Sequence, residues 1–536
     1  MATTMPISSP EHPTNYRRAR LGAVALGLIV SLGIALLVAH SRPARGAVSD
    51  GPNLIVIVSD DQEYVTANRR YMPHTIEDLA DAGTRFDNFV ITTPLCCPSR
   101  ATQLTGQYGH NNGVLSNKPG YPTLIDPDNT LPVWLQGAGY TTAHIGKYLN
   151  GYKRAGDPLA PAPGWDVWYT NTRQRYYNYT LSSNGTPIEK GDAAEDYSTD
   201  VYTRRAVGLI RRRFDTDPNP FYLQLDYLAP HVDGTATAPC RFSPIPAERD
   251  EHRFPHLRVP MPPSYDEADT SDKPDFIAAL PPFSARTERA IRARYRCRVQ
   301  SLQAVDRGID RIVRALDATG LLDNTVILFY SDNGYHSGEH RLAKSKGLAY
   351  EEDILSPLLV RLPESLAGES APPREISDPI GNIDLVPTIL DFAGTDPCID
   401  SDTCRVLDGL SFRGLIDNSG GSWPARRPLG IDIAQDGALA GGTRACRYHA
   451  MRVDREVIIQ HERTLDPRTK RCEDSTEVEH YRLDSDPYEI RNLYPGPTFS
   501  QLRADQEALL SELEQIHVCA GIEGRDPEPA SGVYCG

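Results

Sequence analysis

From Asn53 onward, short apolar runs alternate with stretches whose apolar residues recur at helical spacing, the pattern of a mainly parallel sheet covered by helices on both faces. Leu54-Ile55-Val56-Ile57-Val58 reads as a buried strand and is followed by Ser59-Asp60-Asp61-Gln62. Tyr140 to Ile145 is a second run, ending in Gly146-Lys147. Phe221 to Leu225 leads to Ala229-Pro230-His231, and Thr325 to Tyr330 ends in Ser331-Asp332-Asn333-Gly334. In each case a chemically useful group stands just past the carboxyl end of a strand, where open α/β sheets gather their ligands. Four strands delivering such groups to one edge predict a site there.

Between the third and fourth runs lies a Pro-rich excursion, from about Ala238 to Ser284, which reads as a surface loop shaping the entrance to that site. A long helix is predicted over Ala285 to Ala318, with Ile291, Tyr295, Leu302, Val305, Ile309 and Leu316 as its apolar positions and its arginines on a solvated face. Beyond Ser419-Gly420-Gly421 the pattern changes to strands such as Tyr448 to Gln460 and Glu479 to Leu483, closed by a helix from Ser500 to Ile516. The expected fold is thus α/β, a large mainly parallel sheet sandwiched by helices, with a smaller C-terminal antiparallel sheet plus helix. Three parts are expected: residues 1–48 as a signal peptide or N-terminal membrane anchor, 49–418 as the catalytic domain and 419–536 as a C-terminal subdomain.

The first part rests on Arg17, Arg18 and Arg20, the apolar run Leu21 to Val38 and the small residues Ala44-x-Gly46 after it. Either outcome, cleavage or anchoring by residues 21–40, puts the bulk of the chain outside the cytosol. Cysteine usage agrees with export. With Cys96 and Cys97 set aside, Cys398 and Cys404, Cys446 and Cys472, and Cys519 and Cys535 fall into close sequence pairs, leaving Cys240 and Cys297. Four disulfides suit an oxidising compartment, although sequence alone does not fix their connectivity. The 536 residues allow a large core plus a smaller domain, and the net charge of −15 argues against a general binder of nucleic acid or anionic membranes.

Cys96-Cys97-Pro98-Ser99-Arg100, running on to Thr105-Gly106, reads as a loop turning into a helix, a turn that presents backbone N–H groups to an anion. Asp60, Asp61, Asp332 and Asn333 supply three carboxylates and an amide oxygen, hard ligands that suit Ca²⁺ or Mg²⁺ better than zinc. Lysine is scarce, eight residues against 48 arginines, so Lys147, Lys344 and Lys346 stand out as compact cations able to contact an anionic group or protonate a leaving oxygen. His231 offers the same chemistry.

The spacing Cys-x-Pro-Ser-Arg-x4-Thr-Gly, some 36 residues after Asp60, resembles the signature of the type I sulfatases of the alkaline phosphatase superfamily, in which the first cysteine is oxidised to formylglycine (3-oxoalanine). Ser331-Asp332-Asn333-Gly334-Tyr335-His336, Lys346-Gly347-x-x-Tyr350-Glu351, Asp384-Leu385-x-Pro387-Thr388, Asp408-Gly409-x-Ser411 and Asp486-Pro487-Tyr488-Glu489 follow in sulfatase order, so that the likeness covers roughly Pro52 to Leu493. The resemblance implies an alkaline-phosphatase-like fold, formylglycine at Cys96 made by a formylglycine-generating enzyme, and a Ca²⁺ site of Asp60, Asp61, Asp332, Asn333 and the modified Cys96. It further implies that Arg100 steadies nucleophile and metal. Lys147, His231 and Lys346, with Lys344 beside them, hold the sulfate, and His231 or Lys346 donates the proton to the departing alcohol. A hydrated aldehyde suits this chemistry because one hydroxyl takes the sulfuryl group and the other then expels sulfate, splitting one hard step into two.

Within the family, Gly146-Lys147-Tyr148-Leu149-Asn150 and Thr92-Thr93-Pro94-Leu95-Cys96 are similar to the N-acetylglucosamine-6-sulfatase and extracellular endosulfatase branch. Many sulfatases carry a histidine where this chain has Leu149. The branch implies a sulfate ester on a sugar, N-acetylglucosamine 6-sulfate or a related sulfated glycan. Two alternatives are weighed: a phosphonate or phosphate monoester hydrolase of the same superfamily, and an exported sulfoglycan-binding protein with an inactive site.

Overall fold

Each of the apolar runs becomes a strand of one ten-stranded sheet in the computed structural model, which describes residues 51–367, 374–417, 423–434, 446–494 and 504–536. The strands are β1 (Asn53–Ser59), β2 (Thr84–Phe86), β3 (Thr141–Lys147), β4 (Val167–Asn171), β5 (Tyr179–Ser183), β6 (Thr186–Lys190), β7 (Phe221–Asp226), β8 (Thr325–Ser331), β9 (Leu358–Arg361) and β10 (Arg374–Ile376). Their order across the sheet is β10-β2-β9-β8-β1-β7-β3-β4-β5-β6. The central strands β8-β1-β7-β3-β4 are all parallel. On one side β4, β5 and β6 run alternately antiparallel; on the other, β9 is antiparallel to both β8 and β2. The parallel strands lack hydrophobic alternation because both faces are covered: every residue of β1 and of β8 is buried.

Pairing register sets the site. Ser59 lies opposite Ser331, Val58 opposite Asp226, and Gly146 also opposite Asp226. The carboxyl ends of β8, β1, β7 and β3 are therefore level, and Asp332, Asp60, Asp226 and Lys147 emerge along one rim. The strands run slightly further than expected, so that Lys147 and Ser331 are still within the ladder rather than beyond it.

One face of the sheet is packed by α2 (Ser198–Arg212) and α3 (Ala285–Thr319), the other by α1 (Cys96–Thr105) and α4 (Leu385–Ala393). Helix α3 ends one residue later than the spacing predicts and starts on Ser284, whose hydroxyl accepts from the Thr287 backbone N–H at 3.2 Å.

The smaller sheet is antiparallel, with β11 (Leu429–Ile433), β12 (Tyr448–Val453), β13 (Glu456–His461) and β14 (Val478–Arg482) in sequential order. The stretch expected as strand over 448–460 is a hairpin turning at Asp454-Arg455. Leu509, Leu513 and Ile516 of α5 (Ala504–Ile516) join its core, together with Tyr108, Leu348, Tyr350 and Ile354 of the larger part. Residues 500–503 of the expected closing helix lie outside the described residues.

All four expected disulfides form: Cys240–Cys297, Cys398–Cys404, Cys446–Cys472 and Cys519–Cys535, while Cys96 and Cys97 are free and buried. The apolar run 21–38 lies outside the described residues, and among those described no helix is long and apolar enough to cross a membrane.

Candidate active site

Helix α1 starts on Cys96 itself, following Leu95 in extended conformation, so the thiol sits at a helix N-terminus as its motif predicts. Arg100, four residues on, falls on the same face. The motif's closing Thr-Gly is a helix stop: the Thr105 hydroxyl donates to the Ala101 carbonyl at 2.8 Å, and Gly106 takes a left-handed φ of 66°. A Cβ at Gly106 would also lie 3.0 Å from Val386 and Leu407, so the spacing from cysteine to glycine measures one buried helix.

Around Cys96 the rim groups converge. Ligand atoms of Asp60, Asp61, Asp332 and Cys96 all lie within 4.8 Å of one another. The Cys96 thiol points at Asp60 Oδ1 from 3.3 Å, and Lys346 Nζ stands 2.7 Å from Sγ. The same Lys346 ammonium donates to Asp61, and Lys147 donates to Asp60. Asn333 Nδ2 donates to Asp61 Oδ1 at 2.8 Å. Arg100 reaches Asp332 Oδ2 at 2.8 Å and Asp226 Oδ1 at 3.0 Å, and donates to the Lys147 carbonyl at 3.2 Å. Gly146 gives that carbonyl its place: its φ is 110°, and a Cβ there would fall 1.9 Å from the Asp226 carbonyl oxygen.

His231 stands at the edge, Nδ1 2.7 Å from the Val232 carbonyl and Nε2 3.9 Å from Asp61 Oδ2. Nδ1 therefore donates, leaving Nε2 facing the site. Burial, reinforced by the charges of Lys147 and Lys346, pulls its pKa down to about 4, so the ring is neutral. Burial also pushes the Cys96 thiol far above its ordinary range, with Asp60 adding to the effect. Burial likewise raises Asp332 to about 6, Asp60 again contributing. Asp60 itself goes the other way: burial is outweighed by its cations, Lys147 foremost, which hold it well below the usual carboxylate range. Burial opposes the charge on Lys147 and Lys346, but the carboxylates keep both ammonium groups protonated.

The donor set fits a hard divalent cation. Asp61 Oδ2 and Asn333 Oδ1 are buried oxygens without a hydrogen-bond partner, an arrangement that costs free energy unless something positive faces them. Asp332, raised by burial and further by the Asp60 charge, adds to the same excess of negative charge.

Lys344 is not brought into this cluster; its ammonium lies over the Phe242 ring, 4.4 Å from the centroid. Leu149 is buried in the apolar layer that also holds Cys97. Three further residues complete the site. Asp226 holds Arg100, and His144 in turn holds Asp226, with Nε2 2.9 Å from Oδ2 and Nδ1 2.7 Å from the Thr170 hydroxyl. Arg298 of α3 donates to the Asp61 carbonyl and forms a two-point pair with Glu63 at 2.8 and 2.9 Å. Its signal was in the spacing, since Arg298 falls between Tyr295 and Leu302 on the apolar stripe rather than on the solvated face.

A family model described as sulfatase matches residues 52–395. An arylsulfatase of Volvox carteri is 34% identical over 94% of this chain and 79% of its own length. Human N-acetylglucosamine-6-sulfatase is 32% identical over 72% of this chain and 67% of its own. Among solved structures, a protein in complex with its substrate D-glucosamine-2-N,6-O-disulfate superposes with a TM-score of 0.68 at 25% identity, covering 87% of this chain and 97% of the other.

Proposed function

Because this chain belongs to the sulfatase family, we propose that it hydrolyses the sulfate monoester of a sulfated amino sugar, with Cys96 as the seat of the nucleophile. Family membership favours sulfur over phosphorus esters, and the full set of charged groups around Cys96 speaks against an inactive binding protein. The observation that carries the reading is the meeting of Cys96 Sγ, at a helix N-terminus, with three buried carboxylates and the Lys346 ammonium. The amino-sugar class draws on the relatives' own activities and on the motifs around Cys96 and Lys147.

In this reading Asp60, Asp61, Asp332 and Asn333 hold a divalent cation, Ca²⁺ in preference to Mg²⁺. The cation supplies charge stabilisation for sulfate oxygens, and the hydrated aldehyde of an oxidised Cys96 supplies the attacking hydroxyl. Lys147 and Lys346, kept protonated by their carboxylates, hold the anionic head of the ester. Arg100 fixes Asp332 and the Lys147 backbone, so that nucleophile, cation and sulfate share one frame. His231 Nε2 faces the site as an acceptor, and Lys346 carries a proton beside Sγ. Lys346 is therefore the donor to the leaving alcohol, and His231, neutral with an acceptor Nε2, is placed to accept from a hydroxyl at the reacting centre.

Four disulfides and the arginine-flanked apolar run near the start support export; the division 1–48, 49–418 and 419–536 and a formylglycine-generating enzyme acting on Cys96 are part of the same proposal. Mass spectrometry across residue 96 should find an aldehyde in place of the thiol. Cys96→Ala should release no sulfate while keeping the circular dichroism and melting profile of the parent. Undiminished sulfate release by that variant would overturn the reading.

A further inference from the structure

We propose that the groove leading away from Lys147 is a second anion subsite, taking another negatively charged group, sulfate or carboxylate, on the same sugar substrate; this rests on the sulfatase reading. The cavity, of about 610 Å³, is lined by Lys147, Lys153, Arg173 and Arg175, with Asn150 and Gln174 between them, and by no carboxylate. In a chain of net charge −15 that composition is anomalous. Nearby cations are neutralised locally, Arg154 by Asp128 and Lys190 by Asp196. Lys153, Arg173 and Arg175, by contrast, pair with no carboxylate among the described residues. A larger cavity of about 750 Å³, beside the small sheet, is lined by Asp272, Asp275, Asp466, Glu473 and Asp474 and would repel a sulfated ligand.

The groove is built onto the catalytic rim. Asn171, at the end of β4, lies in register with Lys147. The following segment carries Arg173 and Arg175 and is tied back by the Tyr176 hydroxyl, which donates to the His231 carbonyl at 2.8 Å. Gln174 Nε2 donates to Asn150 Oδ1 at 3.1 Å, joining that segment to the loop after Lys147. Arg173 and Arg175 thus line the same groove as Lys147, where a planar fork suits the paired oxygens of a second sulfate or a carboxylate. Their combined field also draws anionic substrate into a strongly acidic protein.

Calorimetry on the full chain carrying Cys96→Ala tests this without turnover. A glucosamine sulfated at both N2 and O6 should bind about tenfold tighter than N-acetylglucosamine 6-sulfate, and the advantage should shrink as salt is raised. In the additional double variant Arg173→Gln, Arg175→Gln it should fall to about twofold or less. A 6-sulfated disaccharide with a neighbouring uronate shows whether a carboxylate earns the same advantage; gain from either group supports the subsite. Equal affinity for singly and doubly charged sugars, no binding of either, or an advantage that survives the double variant overturns it. Sulfate release by the Cys96-bearing chain is scored separately, so failure to turn over either sugar sinks the sulfatase reading while the affinities still decide the groove.

Discussion

Arg298 is 3% exposed and spans two jobs, donating to the Asp61 backbone and neutralising Glu63, while its guanidinium lies 4.0 Å from the centre of the Tyr335 ring. Removing it leaves Glu63 as a buried carboxylate with little beyond the Ser337 hydroxyl at 2.9 Å. Arg298→Ala should therefore cost about 3–5 kcal/mol in urea unfolding, the penalty for breaking a buried pair from one side, and it should lower sulfate release in the molecules that still fold. A loss below about 1 kcal/mol would show that the pair is not holding the Asp61 turn. At this scale, legibility followed position. Asp60, Asp332 and Lys147 were readable because apolar runs end beside them, and Cys96 because the spacing from it to Thr105-Gly106 resembles the sulfatase signature. Arg298 and Asp226 escaped notice because the first resembles its many exposed neighbours on α3 and the second is a single acid closing a strand, meaningful only once Arg100 is seen beside it.

Among the elements, the segment from β8 to β9 has the most to hold, since it carries both Asn333 and Lys346. Its latch is Asp353, which takes His336 Nδ1 at 2.8 Å and the Leu348 N–H at 2.9 Å. Burial alone would lower the His336 pKa, but Asp353, with Glu352 and Glu339 behind it, lifts it to about 9. A histidine raised above its ordinary 6.5 stabilises the fold fully below about pH 6.5, and that contribution, up to about 3 kcal/mol, is lost as pH climbs through 9. Glu352, raised to about 7 by burial, works in the same direction at lower pH, its contribution being lost between about pH 4.5 and 7. The melting temperature should thus fall between about pH 6.5 and 9, and His336→Gln should flatten this slope; an unchanged slope in the variant assigns the loss elsewhere. The Pro-rich excursion is secured differently, by Cys240–Cys297 to the buried side of α3 across 57 residues. Chain-entropy arguments put that crosslink at about 4 kcal/mol, so Cys240→Ala with Cys297→Ala should shift the denaturation midpoint accordingly. Sequence marked the excursion as a loop and left Cys240 and Cys297 over as the remaining pair, but only tertiary distance fixes that pairing.

Across the whole molecule, level strand ends turn four separated stretches of chain into one acidic rim, and the cost of crowding those carboxylates falls on overall stability. Stripping divalent ions with EDTA should lower the melting temperature by several degrees and stop sulfate release, both reversed by adding Ca²⁺. A melting curve indifferent to chelation would mean that the lysines and Arg100 neutralise the rim unaided. Four of the five central parallel strands of the large sheet were plain from their runs, while β4, Val-Trp-Tyr-Thr-Asn, was not read as one. The flanks of the sheet were not plain either: β2, β9 and β10 are three or four residues long, and β5 and β6 are part-exposed, so neither length nor periodicity separates them from loops.

The small sheet touches chemistry it does not perform. Tyr448 donates to the Gly347 carbonyl at 3.2 Å, Tyr350 to Glu479 at 2.6 Å, and Arg452 grips Glu351 at 2.7 Å, all within five residues of Lys346. The tail is thus a splint for the Lys346 segment, and it cannot be exchanged as an interchangeable cassette. A gene fragment stopping at residue 418 would encode Cys96 and the carboxylates yet leave Lys346 unbraced, so chimeras between relatives must inherit both halves from one parent.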